Sequence, residues 1–194
     1  MTTKIPKLTF AELPASIAVL LRPKYERLGY LGEFFARTAH QETALKAFIE
    51  FTDAAKGSLR DNVVELIALT VATMKGVDYE KNQHERLAVK LGMSRAWVAD
   101  VERLAPAQAT LLDPTERTVQ AYVIAAVERD GRDVGELLDA VVDTLGYEDA
   151  VAVMMVMGRY TTHAIIVNSL GIGPPVPSIF EPSTLEKGET NGST

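Results

Sequence analysis

The chain has 194 residues, 47% hydrophobic and 24% charged, which suits one soluble domain with a sizeable core. Its net charge of −6 argues against a surface built for nucleic acid or anionic lipid. There is no cysteine, which removes disulfides, thiolate nucleophiles and cysteine-ligated metals together.

The opening MTTKIPKLTF has neither a long apolar stretch nor a small-residue cleavage pattern, so a cytoplasmic location is expected. Helical periodicity begins near Ser16 and runs to Leu28 before Gly29, then resumes from Leu31 to Ala39. A third helix is expected over Glu42 to Lys56, with Gly57 as a left-handed cap and Ser58 with Asp61 forming a capping box for the next. That fourth helix, Leu59 to Lys75, is stopped by Gly76, and Asp78 is expected to cap a fifth over Tyr79 to Leu91.

Ser94 opens a short helix to Leu104, and Asp113-Pro114-Thr115-Glu116 is a strong start for a helix reaching Asp130. Asp133 to Leu145 and Glu148 to Leu170 complete an all-α, multi-helix bundle over residues 1–171. The longest apolar run, Ala150 to Gly158, is too short to span a bilayer, so no membrane partner is expected. Residues 172–194 read as an extended proline-containing arm, anchored by Ile179 and Phe180, with a disordered polar tail.

Candidate chemistry concentrates on the helix pair around Gly76. Val63 to Met74 carries a single charge, Glu65, and so apolar a helix is normally buried. A carboxyl near the core either finds partners or has its pKa raised, which makes it a usable acid or base; the plainer reading has it reach solvent or Arg60. On the partner helix Glu80 and His84 are one turn apart and share a face, so a carboxylate can orient an imidazole as a general base. Tyr79 flanks the same face. In an antiparallel hairpin, Glu65 lies roughly 16 Å from the turn and His84 roughly 10 Å, an offset long side chains can bridge.

The stretch Leu59 to Ser94, with Glu65, Gly76, Tyr79-Glu80 and His84 at their mutual spacing, resembles the carboxymuconolactone decarboxylase and alkylhydroperoxidase D superfamily. In the peroxidase branch a CxxC pair would occupy the positions of Val77 and Glu80, so the resemblance implies that the proton-relay residues remain while both redox cysteines are absent. The chain resembles the cysteine-free group with a YExxxH pattern. The resemblance implies an all-helical fold, a homo-oligomer of trimeric or hexameric type, and decarboxylase-, lyase- or isomerase-like chemistry on a small organic acid, lactone or related carbonyl compound. His84, Glu80 and Glu65 would be catalytic, Tyr79 would hydrogen-bond the substrate, and Arg60 and Arg159 are the candidate cations for an anionic one. The other reading is a non-catalytic oligomeric binding or scaffold protein of the same fold.

Nothing in the sequence calls for a cofactor or a metal. His40, His84 and His163 are the only histidines and no two lie at ligand spacing, though Glu80, His84 and Glu65 form a possible metal nucleus. His163 is expected to be a core or interface histidine with its hydrogen bonds satisfied. Met154, Met155, Met157 and Trp97 read as packing residues. The helix-turn-helix rhythm of RLAVKLGMSRAWVADVERL lacks the cations a DNA reader needs, since Arg95 and Arg103 are offset by Asp100 and Glu102.

Overall fold

A computed structural model describes residues 3–181; the expected disordered tail lies outside the described residues. Eight α-helices and two short 3-10 turns, Phe10–Glu12 and Pro106–Gln108, make up the regular structure. The helices are α1 Ala15–Leu28, α2 Glu33–Thr38, α3 Glu42–Lys56, α4 Asp61–Met74, α5 Asp78–Lys90, α6 Arg95–Glu102, α7 Pro114–Glu128 and α8 Gly135–Leu170. The described residues form no strand, so the fold is the all-α bundle expected.

The apolar α4 is the axis. Every residue from Val63 to Ala72 is buried, because α5, α6, α7 and α8 pack around it. Gly76, at φ +62°, gives the reversal that folds α5 back against α4. The two helices expected between Asp133 and Leu170 are both present within α8 and meet at a break at Gly146, whose φ of 82° and ψ of 172° are open to glycine and strained for other residues. By length and composition α8 could cross a bilayer, with mean hydropathy 1.5, but half of that window is buried against the bundle. Its outer side exposes Tyr147, Val151, Met154, Met155 and Ile165.

Two local expectations are corrected. Gly57 keeps right-handed geometry, φ −59° and ψ −27°, so it ends α3 without a left-handed cap. The N-cap of α4 is Arg60 and has no side-chain capping bond, so Ser58 and Asp61 form no capping box. The burial of α4 stabilises this helix start without one. The start of α7 does form its capping box. Asp113 Oδ1 accepts from Glu116 N at 2.8 Å, and Glu116 Oε2 accepts from Asp113 N at 2.7 Å. Glu116 Oε1 accepts further from Asn62 and from the Trp97 indole, tying α4, α6 and α7 together.

After Gly171 the chain runs back over α5 as a strap. Asn82 donates to the Val176 carbonyl at 2.9 Å, and Arg86 donates twice to the Pro177 carbonyl. Buried Glu85 accepts from Ser178 Oγ and Ile179 N at 2.8 and 2.6 Å. Of the two expected anchors Ile179 packs onto the core, whereas Phe180 is 44% exposed beneath the Arg95 guanidinium, so the strap is held by Ile179 and polar contacts and not by Phe180.

Candidate active site

A cavity of about 820 Å³ opens between α1, α3, α5, α8 and the strap. Glu80 and His84 line it from α5, and Glu65, in the first half of α4, stands behind His84 without lining the cavity itself. Arg159, Tyr160 and His163 come from α8, and Thr52 and Lys56 from the end of α3. Lys24 reaches in from α1 with its ammonium 4.7 Å above the Phe35 ring. All three acid–base residues read from the hairpin are buried, with Glu65 2%, Glu80 6% and His84 9% exposed.

The partners differ from the sequence expectation in one respect. His84 Nδ1 is 2.7 Å from Glu65 Oε2, whereas its Nε2 is 3.7 Å from Glu80 Oε2. Glu65, across the hairpin, is therefore the hydrogen-bond partner of His84. Glu80 acts as a hub. The same oxygen that faces His84 lies 2.9 Å from His163 Nδ1 and 3.4 Å from Arg159 Nη1. The guanidinium of Arg159 is fixed from its other side by Nε donating to Thr52 Oγ1 at 3.1 Å, and it stacks 4.4 Å from the Tyr160 ring.

The electrostatics separate the two imidazoles. Burial works against charging His84, but Glu65 and Glu80 on either side outweigh it and raise its pKa above 6.5. For His163 burial dominates over Glu80, aided by Arg159 and Lys24, and its pKa falls below 6.5. Burial also opposes ionisation of Glu80, yet the two histidines hold its carboxyl well below the usual range. Lys24 is pulled down to about 8, chiefly by desolvation; the residue as a whole is exposed, so water in the cavity moderates that effect. Among the described residues no group of three or more histidines and carboxylates is disposed to hold a metal ion.

Of the substrate-binding candidates, Tyr79 and Arg159 line the cavity. The Tyr79 hydroxyl oxygen accepts from Phe34 N at 3.4 Å, and burial raises its pKa. The close passage of Gly32 makes that seat possible, since a Cβ there would stand 2.8 Å from the hydroxyl. Arg60 is a correction. It caps the far end of α4, exposed, with its guanidinium 3.7 Å from Asp113, because α4 starts at the end of the hairpin away from the Gly76 turn. His163, Lys24, Lys56, Thr52 and Tyr160 are the site residues that sequence reading missed. The Arg-x-x-x-His pairing of Arg159 and His163, one turn apart on an apolar helix, was the available signal.

The fold and site define a helical-bundle protein whose central hairpin carries a cysteine-free glutamate–histidine cluster. Residues 42–126 match the sequence profile of the Carboxymuconolactone decarboxylase family. Similar folds occur in a peroxidase-related protein with an alkylhydroperoxidase AhpD core from Ralstonia eutropha JMP134, 17% identical, with TM-score 0.75 over 89% of this chain and 90% of that one. A Cys-to-Ala variant of the debrominase Bmp8, in complex with 2,3,4-tribromopyrrole, is 15% identical, with TM-score 0.77 over 89% of this chain and 92% of that one. The apo form of Bmp8 is 16% identical, with TM-score 0.75 over 90% and 93%. No curated protein matches the sequence. The match over residues 42–126 makes this stretch similar to that family, and the fold is the one those solved structures share, in a chain with no cysteine.

Proposed function

We propose that the cavity is the active site of a cysteine-independent acid–base enzyme acting on a small organic acid, lactone or related carbonyl compound. The observation that carries this reading is the buried cluster of His84, Glu80 and His163 lining one cavity, with Glu65 behind His84 and the two imidazoles shifted in opposite directions from the ordinary value. Arg159 sits where it can hold a substrate carboxylate, its head fixed by Thr52 and Glu80, and Lys24 and Lys56 add positive charge at the mouth. Tyr79 offers its hydroxyl proton to a carbonyl oxygen. Tyr160, Phe35 and Phe48 supply flat apolar walls for the rest of a small ligand.

Decarboxylation or isomerisation of such a compound passes through an enolate, and the site supplies what an enolate needs. Fixed positive charge stabilises the developing oxyanion, and buried donors and acceptors move protons without water reorganising first. The protein works as a homo-oligomer in this proposal, with the exposed apolar side of α8 as the contact surface. Light scattering that returns the monomer mass would reject that part alone.

The test is a thermal-shift screen of small carboxylates and lactones, followed by turnover of the ligands that bind. A carboxylate-dependent rise in Tm that Arg159→Gln abolishes supports the reading. A protein that binds such compounds without converting any would instead be the binding or scaffold protein of the same fold.

A further inference from the structure

We propose that the two cavity histidines work in opposite directions: His163 takes the proton from the substrate carbon, and His84 gives a proton to the substrate oxygen. The proposal rests on the acid–base reading above and assigns His163 a role that the hairpin pattern does not contain.

His163 lies on the inner face of α8 and its ring lines the cavity, yet it is only 2% exposed. Its Nδ1 lies 2.9 Å from Glu80 Oε2 but out of line, and neither ring nitrogen makes a hydrogen bond of good geometry. The expectation of a satisfied core histidine is therefore not met. An unpartnered buried polar group is destabilising, and folds keep one where something else completes it. The Phe34 ring stands 3.9 Å away edge-on and the Phe48 ring 6.3 Å away face-on. Behind these two rings lies a second cavity of about 700 Å³, so nothing on that side offers the imidazole a strong partner.

His84 is the opposite case. One nitrogen is held by Glu65 at 2.7 Å and the other faces Glu80 at 3.7 Å, so two carboxylates flank the ring. The charged groups facing it are those two carboxylates; those facing His163 are Glu80, Arg159 and Lys24. A ring between two carboxylates is kept protonated and serves as a donor. A ring walled by phenyl groups, with cations near, is kept neutral and presents a lone pair. Glu80 faces both rings with a single oxygen and biases their charge states from there, which makes it a positioning residue.

With its own proton on Nδ1 toward Glu80, His163 accepts a proton at Nε2 from the carbon beside the substrate carbonyl. The C–H electron pair becomes the enolate double bond, and the carbonyl π pair moves to oxygen, where the proton of His84 is delivered. Each imidazole changes by one proton, in opposite senses; the enol then returns its O–H proton to His84 while His163 protonates the same carbon, or the far end of a conjugated double bond where the substrate has one, and both rings regain their starting forms.

The test uses the full chain and two readouts. The first is a pH titration of the three histidines by ¹⁵N NMR, assigned with His40→Gln, His84→Gln and His163→Gln. His163 is expected to lose its proton below pH 6.5 and His84 above it; the reverse order overturns the proposal whether or not any substrate is found. The second compares His163→Phe with the wild type for Tm and for turnover of the ligands found in the carboxylate and lactone screen. Phenylalanine matches the aromatic walls, so Tm is expected to hold or rise while turnover falls at least 100-fold, and the acid limb of kcat/KM near the His163 pKa disappears. A fall in Tm with turnover retained would overturn the proposal and make His163 structural. Absence of turnover in the wild type would overturn the acid–base reading instead, leaving the NMR order to decide the histidine states.

Discussion

Two buried polar clusters border α4, one joined to it through Asn62 and the other through Glu65, and they are built to different standards. Around Glu116, one oxygen accepts from Asn62 and the Trp97 indole while the other accepts from Asp113 N, so the carboxylate is fully engaged. Nearby, Asp100 accepts from the backbone of Thr110 and Leu111 at 2.8 and 2.9 Å. Around Glu80, by contrast, one oxygen is shared by His84, His163 and Arg159 at 3.7, 2.9 and 3.4 Å, and His163 is left without a bond. The first cluster is closed on itself and lines no cavity described here. The second is open toward 820 Å³ of space. Satisfied networks hold helices together, whereas a network left incomplete beside a cavity is prepared for a ligand.

That contrast can be broken most forcefully by His84→Gln. Glutamine keeps a donor for Glu65 but cannot change charge, so turnover is expected to fall about 10²–10⁴-fold with the fold intact by circular dichroism. Unchanged turnover would remove His84 from the chemistry. On the closed side, Glu116→Leu orphans three donors at once and is expected to cost about 3 kcal/mol in urea denaturation while leaving carboxylate affinity unchanged. Loss of ligand affinity with little change in stability would erase the distinction between the clusters.

The pH dependence sharpens the comparison further. The folded pKa of His84 lies above 6.5, so its contribution to stability is complete below that pH and is lost as pH rises through the folded value. The folded pKa of His163 lies below 6.5, so protonation is penalised in the fold and stability falls as pH drops through 6.5. The Tm difference between wild type and His84→Gln should therefore shrink above pH 6.5. The difference from His163→Phe should turn against the wild type below pH 6.5. Scanning calorimetry at several pH values checks both signs. The smallest effect is expected for Asp113→Ala, which removes one cap of α7 and should cost about 1 kcal/mol without any pH signature near neutrality.

The central hairpin was legible because its information is local. One charge in an apolar helix marked Glu65, a four-residue interval paired Glu80 with His84, and Gly76 fixed the reversal that brought them together. What was not legible is the contribution of the other helices. Glu80 and His84 share a face, but the Glu80 carboxylate lies nearer to Arg159 and His163, which follow it only after α6, α7 and much of α8. Local spacing cannot reveal that choice. Arg60 failed for the opposite reason, since closeness in sequence to Glu65 placed it at the wrong end of α4. The positions of Val77 and Glu80, which the sequence resemblance sets against the cysteine pair of the peroxidase branch, were readable at once. Their consequence needed the structure, because Glu80 is not merely a replacement but the hub of the site.

The most direct test of the account is proton exchange at carbon. The protein would be incubated in D₂O with the small lactones and keto acids that raise its Tm, and deuterium beside the carbonyl followed by ¹H NMR. Deuterium uptake or loss of CO₂ with the wild type, reduced at least 100-fold in both His84→Gln and His163→Phe, is the predicted result. Bound ligands that exchange no proton, or exchange that survives both substitutions, would contradict it.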